Sequence, residues 1–383
     1  MEIPNFAPEG NSNVKYASPG HLLFSRDRTL LAQPFDAERQ TVTGEPITVA
    51  ENVGAAFSAS DNGTLVYRHS TVAPSVAGAG KLLWLNRLGK PAGEVSTPTP
   101  PGSIELSRDG RQIVMDTNRQ RQSDVWVIND RGVPQKLTTD PGFEGFPIWN
   151  PMGSQVSYAA TTPGKPSSLY LKASNGVGRE ELLLASDNPE VVLFARDWSS
   201  DGRYFVFDKF FLTGTTTTDI WILPLSGEKK PVAFLATPAR ETQGQVSPDG
   251  QFIAYVTNES GTDQIVVRTF PDPNKGQWQI TSGGGVEPRW RRKDGRELYY
   301  LSPEGKVMAV AIANGSTFLP GAPTELFQAP ALFVQAGPFQ RRYDVSADGQ
   351  RFLFAAIFAP TSDSPASTPI TAVINWTHGL KKK

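Results

Sequence analysis

Polar and charged side chains recur at one kind of place in this sequence, just upstream of a series of short apolar segments. Arg196 falls in FARDW, Glu287 and Arg289 in VEPRW, and Arg341 and Arg342 in FQRRYDV; the equivalent stretches contribute Lys15, Glu144 and Gln243. Guanidinium groups make forked hydrogen bonds to carboxylates, and amides both donate and accept. Converging on one opening, these eight residues would form a charged binding surface for a peptide terminus, a carboxylate or a sugar. As solvated rim charges bonded to neighbouring loops they would serve only the scaffold, and both readings stand at this point.

Candidates for catalysis are few. The three histidines, His21, His69 and His378, are far apart in sequence, and a general base needs a partner within hydrogen-bond reach. His21 in SPGHLL and His69 in VYRHS read as surface or packing residues, and His378 falls in the tail. No GxSxG, HExxH, Walker A or GxGxxG pattern occurs, so none of the common nucleophile, zinc or nucleotide arrangements is encoded. The segment DPNKG from Asp272 to Gly276 alternates oxygen ligands, but Pro273 and the short loop fit an ordinary turn better than a calcium site. No catalytic residue, metal ligand set or cofactor is therefore assigned. With no cysteine, disulfides and thiolate ligands are excluded and the redox compartment stays open.

The elements that must position these residues come from a repeat. Turn glycines fall at Gly20, Gly63, Gly110, Gly153, Gly202, Gly250, Gly295 and Gly349, at spacings of 43 to 54 residues. That is the length of a four-stranded propeller blade. The sixth copy, VSPDGQFIAYV, is the clearest: an apolar strand end, Ser-Pro-Asp-Gly, then a strand of β-branched and aromatic residues. Glycine accepts positive φ in the turn, and the aspartate bonds nearby N–H groups. Repetition at Asp109, Asp201, Asp249, Asp294 and Asp348 marks these carboxylates as scaffold, since one active site needs no such copies. Met152 breaks the pattern. Before the turns, Leu106, Trp149, Trp198, Val246, Trp290 and Val345 are placed to pack between adjacent blades.

The expected fold is all-β, a propeller of eight four-stranded blades with seven as the runner-up, in one domain over residues 1–383. SDNGTLVYRHS, KLLWLNRLG and GEVSTP are assigned to the second unit, and ITAVINW to the end of the eighth. Closure is expected from Glu2 to Phe6 lying against Ile370 to Trp376, which removes the free edge of an open sheet. The long irregular segment 359–369 and a basic tail, 379–383, complete the chain. Its 35 glycines and 32 prolines match a turn-rich architecture, and 38% apolar residues supply a core. A net charge of -1 encodes no general attraction to nucleic acid or anionic lipid. No apolar run approaches 18 residues and MEIPNFAPEG lacks the regions of a signal peptide, so no membrane segment is expected.

The SPDG, SSDG and SADG turns, followed by strands such as QFIAYV and RYFVFD, resemble the WD40-like or TolB-like β-propeller repeat family. HLLFSRDRTLLAQPFD, TGEPITVAENV, SASDNGTLVY and ITAVINWTHGLKK are similar to propeller regions attached to bacterial eukaryote-like serine/threonine kinases. The resemblance implies a sensory or protein-binding module, with a kinase domain upstream in a longer protein and an extracytoplasmic location on a membrane-anchored chain. It carries over no kinase residue, because no Gly-rich nucleotide loop with its lysine, HRD or DFG occurs here. The expected function is non-catalytic recognition of a protein, peptide or small ligand at the axial face. Two alternatives stay open, a lyase or hydrolase acting at an axial site and a structural or intramolecular regulatory domain.

Overall fold

A computed structural model describes residues 14–26, 29–50, 53–60, 62–69, 80–117, 122–140, 142–213, 218–313, 318–330, 340–356 and 370–377. They are all-β, in eight antiparallel sheets of mostly four strands, the number that the turn glycines imply and in keeping with an eight-blade count. Each glycine joins the first and second strands of its own sheet, and all eight stand at φ between 67° and 79°. Only glycine reaches that region without steric cost, so the eight marks in the sequence are eight backbone requirements. The sheets are named below by these glycines.

In four turns the aspartate holds the loop from within. Asp109, Asp201, Asp249 and Asp348 each accept a hydrogen bond from the serine hydroxyl two residues before and the N–H two residues after. These bonds pull Asp109 and Asp348 below the usual carboxylate range. At Asp272 the same logic yields an ordinary turn, with its Oδ1 accepting the Asn274 N–H at 3.0 Å.

By contacts the chain, read from its sequence as one domain, divides into two compact units, Gly78–Phe358 and Met1–Ala77 with Ala359–Lys383. The second contains the Gly20 and Gly63 sheets. Leu23, Leu30 and Ala32 of one and Val53, Phe57, Leu65 and Tyr67 of the other form a shared core with Trp376. His21 lies here, its Nδ1 2.8 Å from the Pro19 carbonyl and its ring 5.8 Å from that of Trp376.

Gly78–Phe358 holds the other six sheets. Six hydrophobic clusters join them in succession, from the Gly110 sheet through Gly153, Gly202, Gly250, Gly295 and Gly349 and back to Gly110. Leu106, Trp149, Val246, Trp290 and Val345 are buried in these clusters and Trp198 packs against one, so the residues before the turns do seal one sheet to the next. A fully buried Leu or Phe contributes about 1.5–3 kcal/mol, and a cycle of such interfaces leaves no terminal sheet to cap.

Two strand assignments change. KLLWLNRLG and the strand after it do not complete the Gly63 sheet: Gly80–Asn86 pairs with Arg351–Ala356, and Pro91–Thr97 follows outside it. The Gly63 sheet takes Ile370–Ile374 as its third strand instead, against Thr64–His69. Burial on both faces decides the pairing: Leu82, Leu353 and Ala355 enter one inter-sheet cluster while Leu85, Phe352 and Phe354 enter the other. The expected partner of Ile370 to Trp376, Glu2 to Phe6, lies outside the described residues, as do the segment 359–369, His378 and the tail 379–383. Among the described residues no helix is long and apolar enough to cross a membrane.

Candidate functional site

The first strands of the six sheets in Gly78–Phe358 carry the candidate site, and a recurring irregularity shapes it. In five of the six the pairing with the second strand slips, between Pro101 and Ile104, Gly145 and Ile148, Ala195 and Asp197, Thr242 and Gln245, and Val286 and Arg289. A bulge of this kind bends the strand and removes N–H groups from the ladder. Phe146, Gln243 and Glu287 occupy it at φ of 53°, 60° and 55°, a region costly for side chains other than glycine.

The preceding sheet supplies acceptors for the freed N–H groups. Phe146 N–H donates to Asp116 Oδ2 at 2.7 Å and Gln243 N–H to Asp208 Oδ2 at 3.4 Å. Glu287 N–H donates to Gln243 Oε1 at 2.6 Å, and Arg342 N–H to Glu287 Oε2 at 2.8 Å. Nearer the turns a second series runs through three carboxylates. Asp344 accepts the Leu106 N–H, Glu105 the Trp149 N–H and Asp197 the Val246 N–H, each at 2.8 Å.

Arginines then tie distant sheets together. Arg292 Nη2 lies 2.9 Å from Asp344 and 3.1 Å from Glu105. Arg341 Nη1 lies 2.8 Å from Glu105, while its Nη2 donates to the Arg196 carbonyl. The Gly349 and Gly202 sheets are three steps apart in a cycle of six, so the Arg341 side chain crosses the axis. Arg196 itself pairs with Asp208 at 2.6 Å, with side chains 4% and 0% exposed. Burial pushes Glu105, Asp197 and Asp208 up from ordinary carboxylate values and Arg196 and Arg289 down from the ordinary guanidinium value, against the opposing charges nearby. Asp116, buried with no cation to oppose the effect, is raised to about 7.

Of the eight residues singled out by sequence, Arg196, Gln243, Glu287, Arg289 and Arg341 line one small cavity with Gln245 and Gln340. Arg342 adjoins it through its hydrogen bonds to Glu287. Glu144 is buried elsewhere, near Thr138, Asp140 and Glu180, and burial raises it to about 7. Lys15 is an exposed residue of the other unit. On the turn side opens a second, wider cleft. All six first strands or their turns contribute to it, with Glu105, Asp197, Asp344 and Arg292 among the charged residues, walls of Trp149, Trp198 and Trp290, and a rim that includes Arg108 and Pro248.

Sequence reasoning passed over the acids of this cleft. Their signal is positional: Glu105, Asp197 and Asp344 each stand one residue before an apolar residue that seals two sheets, in IELS, RDW and YDV. No histidine lines either cavity, and among the described residues no group of three or more His, Cys, Asp or Glu side chains could hold a metal ion.

No family model matches the chain, and no curated protein matches it by sequence. Solved structures do. A putative TolB from Agrobacterium tumefaciens is 17% identical, with 72% of this chain and 98% of that one covered and a TM-score of 0.52. TolB from Acinetobacter baumannii is 17% identical, with 83% and 80% covered and a TM-score of 0.48. The chain therefore has a TolB-like β-propeller fold.

Proposed function

We propose that this protein is a non-catalytic recognition module that takes a protein segment, a peptide or a small polar ligand in the turn-side cleft of Gly78–Phe358. One observation carries the reading: every first strand or turn of the six sheets reaches a single cleft with a charged floor and tryptophan walls. Concave sites with a few convergent, fixed polar groups are where ligands bind. The lyase or hydrolase alternative has less support, because the carboxylates of the floor are engaged in holding backbone N–H groups and arginines. The likeness of its sequence to propellers carried behind bacterial kinases supports a sensory role in a larger, membrane-anchored signalling protein.

The test is a screen of peptides, organic acids and sugars against the full chain, by thermal shift and then by titration. Saturable binding that weakens in Asp197→Asn, where the cleft loses a charge, is the expected result. Absence of any saturable ligand, or binding indifferent to that substitution, would count against the cleft.

A further inference from the structure

Two side chains near the cleft stand apart from the charge network that closes the cycle. Arg108 lies on the rim; its Nη1 donates to the Ser200 carbonyl at 3.2 Å, and among the described residues it has no ion-pair partner. Met152 is 84% exposed at the position where five other turns carry aspartate.

The turn chemistry explains why an aspartate can be dispensed with there. Asn150 Oδ1 accepts both the Ser154 N–H at 3.0 Å and the Gln155 N–H at 3.1 Å. Position 152 is thereby released from the loop and projects an apolar side chain into water. A single exposed apolar residue is common on any protein, and Leu88 and Val177, 72% and 70% exposed, are two here. Met152 differs in where it stands. With Arg108, Pro151 and Asp109, whose carboxylate is taken up by the Ser107 hydroxyl and the Arg111 N–H, it lines a shallow groove between the Gly110 and Gly153 turns, and Arg108 and Pro151 line the axial cleft as well. Groove and cleft are one continuous surface, with a cation at the junction and a flexible thioether beyond it. Methionine adapts to varied apolar partners, and a rim guanidinium without an ion pair, with donors left beyond its one backbone bond, selects carboxylates.

We infer that the Arg108–Pro151–Met152 groove continues the binding surface of the cleft, and that its partner is an extended protein segment placing a carboxylate on Arg108 and a neighbouring apolar side chain on Met152. This rests on the reading of the cleft as a recognition site. The partner segment lies across the turn face, with one end in the cleft and the other leaving over the Gly153 turn.

The experiment pans a phage-displayed library of random dodecapeptides against the full chain and against Arg108→Glu, Met152→Asp and Asp197→Asn. The first two positions face solvent, so both variants should keep the parent melting temperature. Wild type should enrich Asp or Glu beside Leu, Ile, Phe or Met. Arg108→Glu should exchange the acid for Lys or Arg, and Met152→Asp should lose the apolar neighbour. Measured by fluorescence polarisation, the wild-type consensus peptide should bind Arg108→Glu about tenfold more weakly or worse, since like charges then face each other. Equal binding to wild type, Arg108→Glu and Met152→Asp, with loss in Asp197→Asn, overturns the groove and leaves the cleft reading standing. Failure to enrich any peptide overturns the groove, and a consensus indifferent to all three substitutions overturns both.

Discussion

Replacing Arg196 by Met tests how the axial charges are held. The Arg196 Nε to Asp208 Oδ2 distance is 2.6 Å and the two side chains are 4% and 0% exposed. The variant leaves the carboxylate in the interior with the Thr242 hydroxyl and the Gln243 N–H. Removing one partner of a buried pair costs about 3–5 kcal/mol, far more than an exposed pair is worth, because the remaining charge is stranded. Urea denaturation followed by tryptophan fluorescence reads the result, and seven of the eight tryptophans lie in Gly78–Phe358. The pH dependence identifies the cause. Burial already raises Asp208 and Arg196 opposes it, so the variant lifts the folded value further above the unfolded value of about 4. The penalty is then absent below about pH 4, grows as pH rises through the window between the two values, and is complete above it. Arg196→Met should therefore lose less stability at pH 5 than at pH 8, and Arg196→Met with Asp208→Asn should regain most of the loss at pH 8. A loss under about 1 kcal/mol, or the same loss at both pH values, would refute the reasoning.

The wild-type chain carries the same signature more weakly. Asp116 and Glu144 are raised to about 7 and Asp219 to about 6, all chiefly by burial, so the folded state holds protons that the unfolded state releases. Melting temperature should fall as pH rises from 5 to 8, and Glu144→Gln should flatten the slope; a rise across that range would contradict the assignment. Gly250 stands at φ 72° with only the Ser200 hydroxyl within reach of an added Cβ. Gly250→Ala should cost about 1–2 kcal/mol through backbone strain alone, read as a lower urea midpoint with an unchanged slope.

The fold was legible because its strictest demands are local. A turn that must reach positive φ leaves a glycine, and a strand buried on both faces leaves an apolar run, so all eight first-to-second strand turns could be placed. Strand exchange was not legible. Gly80–Asn86 and Ile370–Ile374 are both short, apolar and extended, and nothing within either says which second strand it will join; complementarity with residues hundreds of positions away decides. The charges divide in the same manner. Five of the eight residues chosen for their place upstream of the strands do share one cavity, because a common position in the repeat maps to a common depth in the cycle. Glu144 departs because the strand bulge follows it, at Phe146, and Asp197 and Glu105 were missed because they resemble any acid beside a turn.

The convergence of charge on the axis has a cause that precedes any ligand. Bulged first strands bring backbone N–H groups to a place where no neighbouring strand can accept from them, and a buried unsatisfied N–H costs about 1–3 kcal/mol. Asp116, Asp208, Gln243 and Glu287 meet that need, as Asp344, Glu105 and Asp197 do one layer nearer the turns. Arginines follow because the carboxylates must be neutralised once they are buried. Most of the side chains that look like a binding site are thus committed to closing the cycle. Selectivity then falls to charges that closure does not neutralise, and among the described residues Asp197 on the floor, which holds the Val246 N–H, and Arg108 on the rim, which donates to the Ser200 carbonyl, are the two in the turn-side cleft without an ion-pair partner.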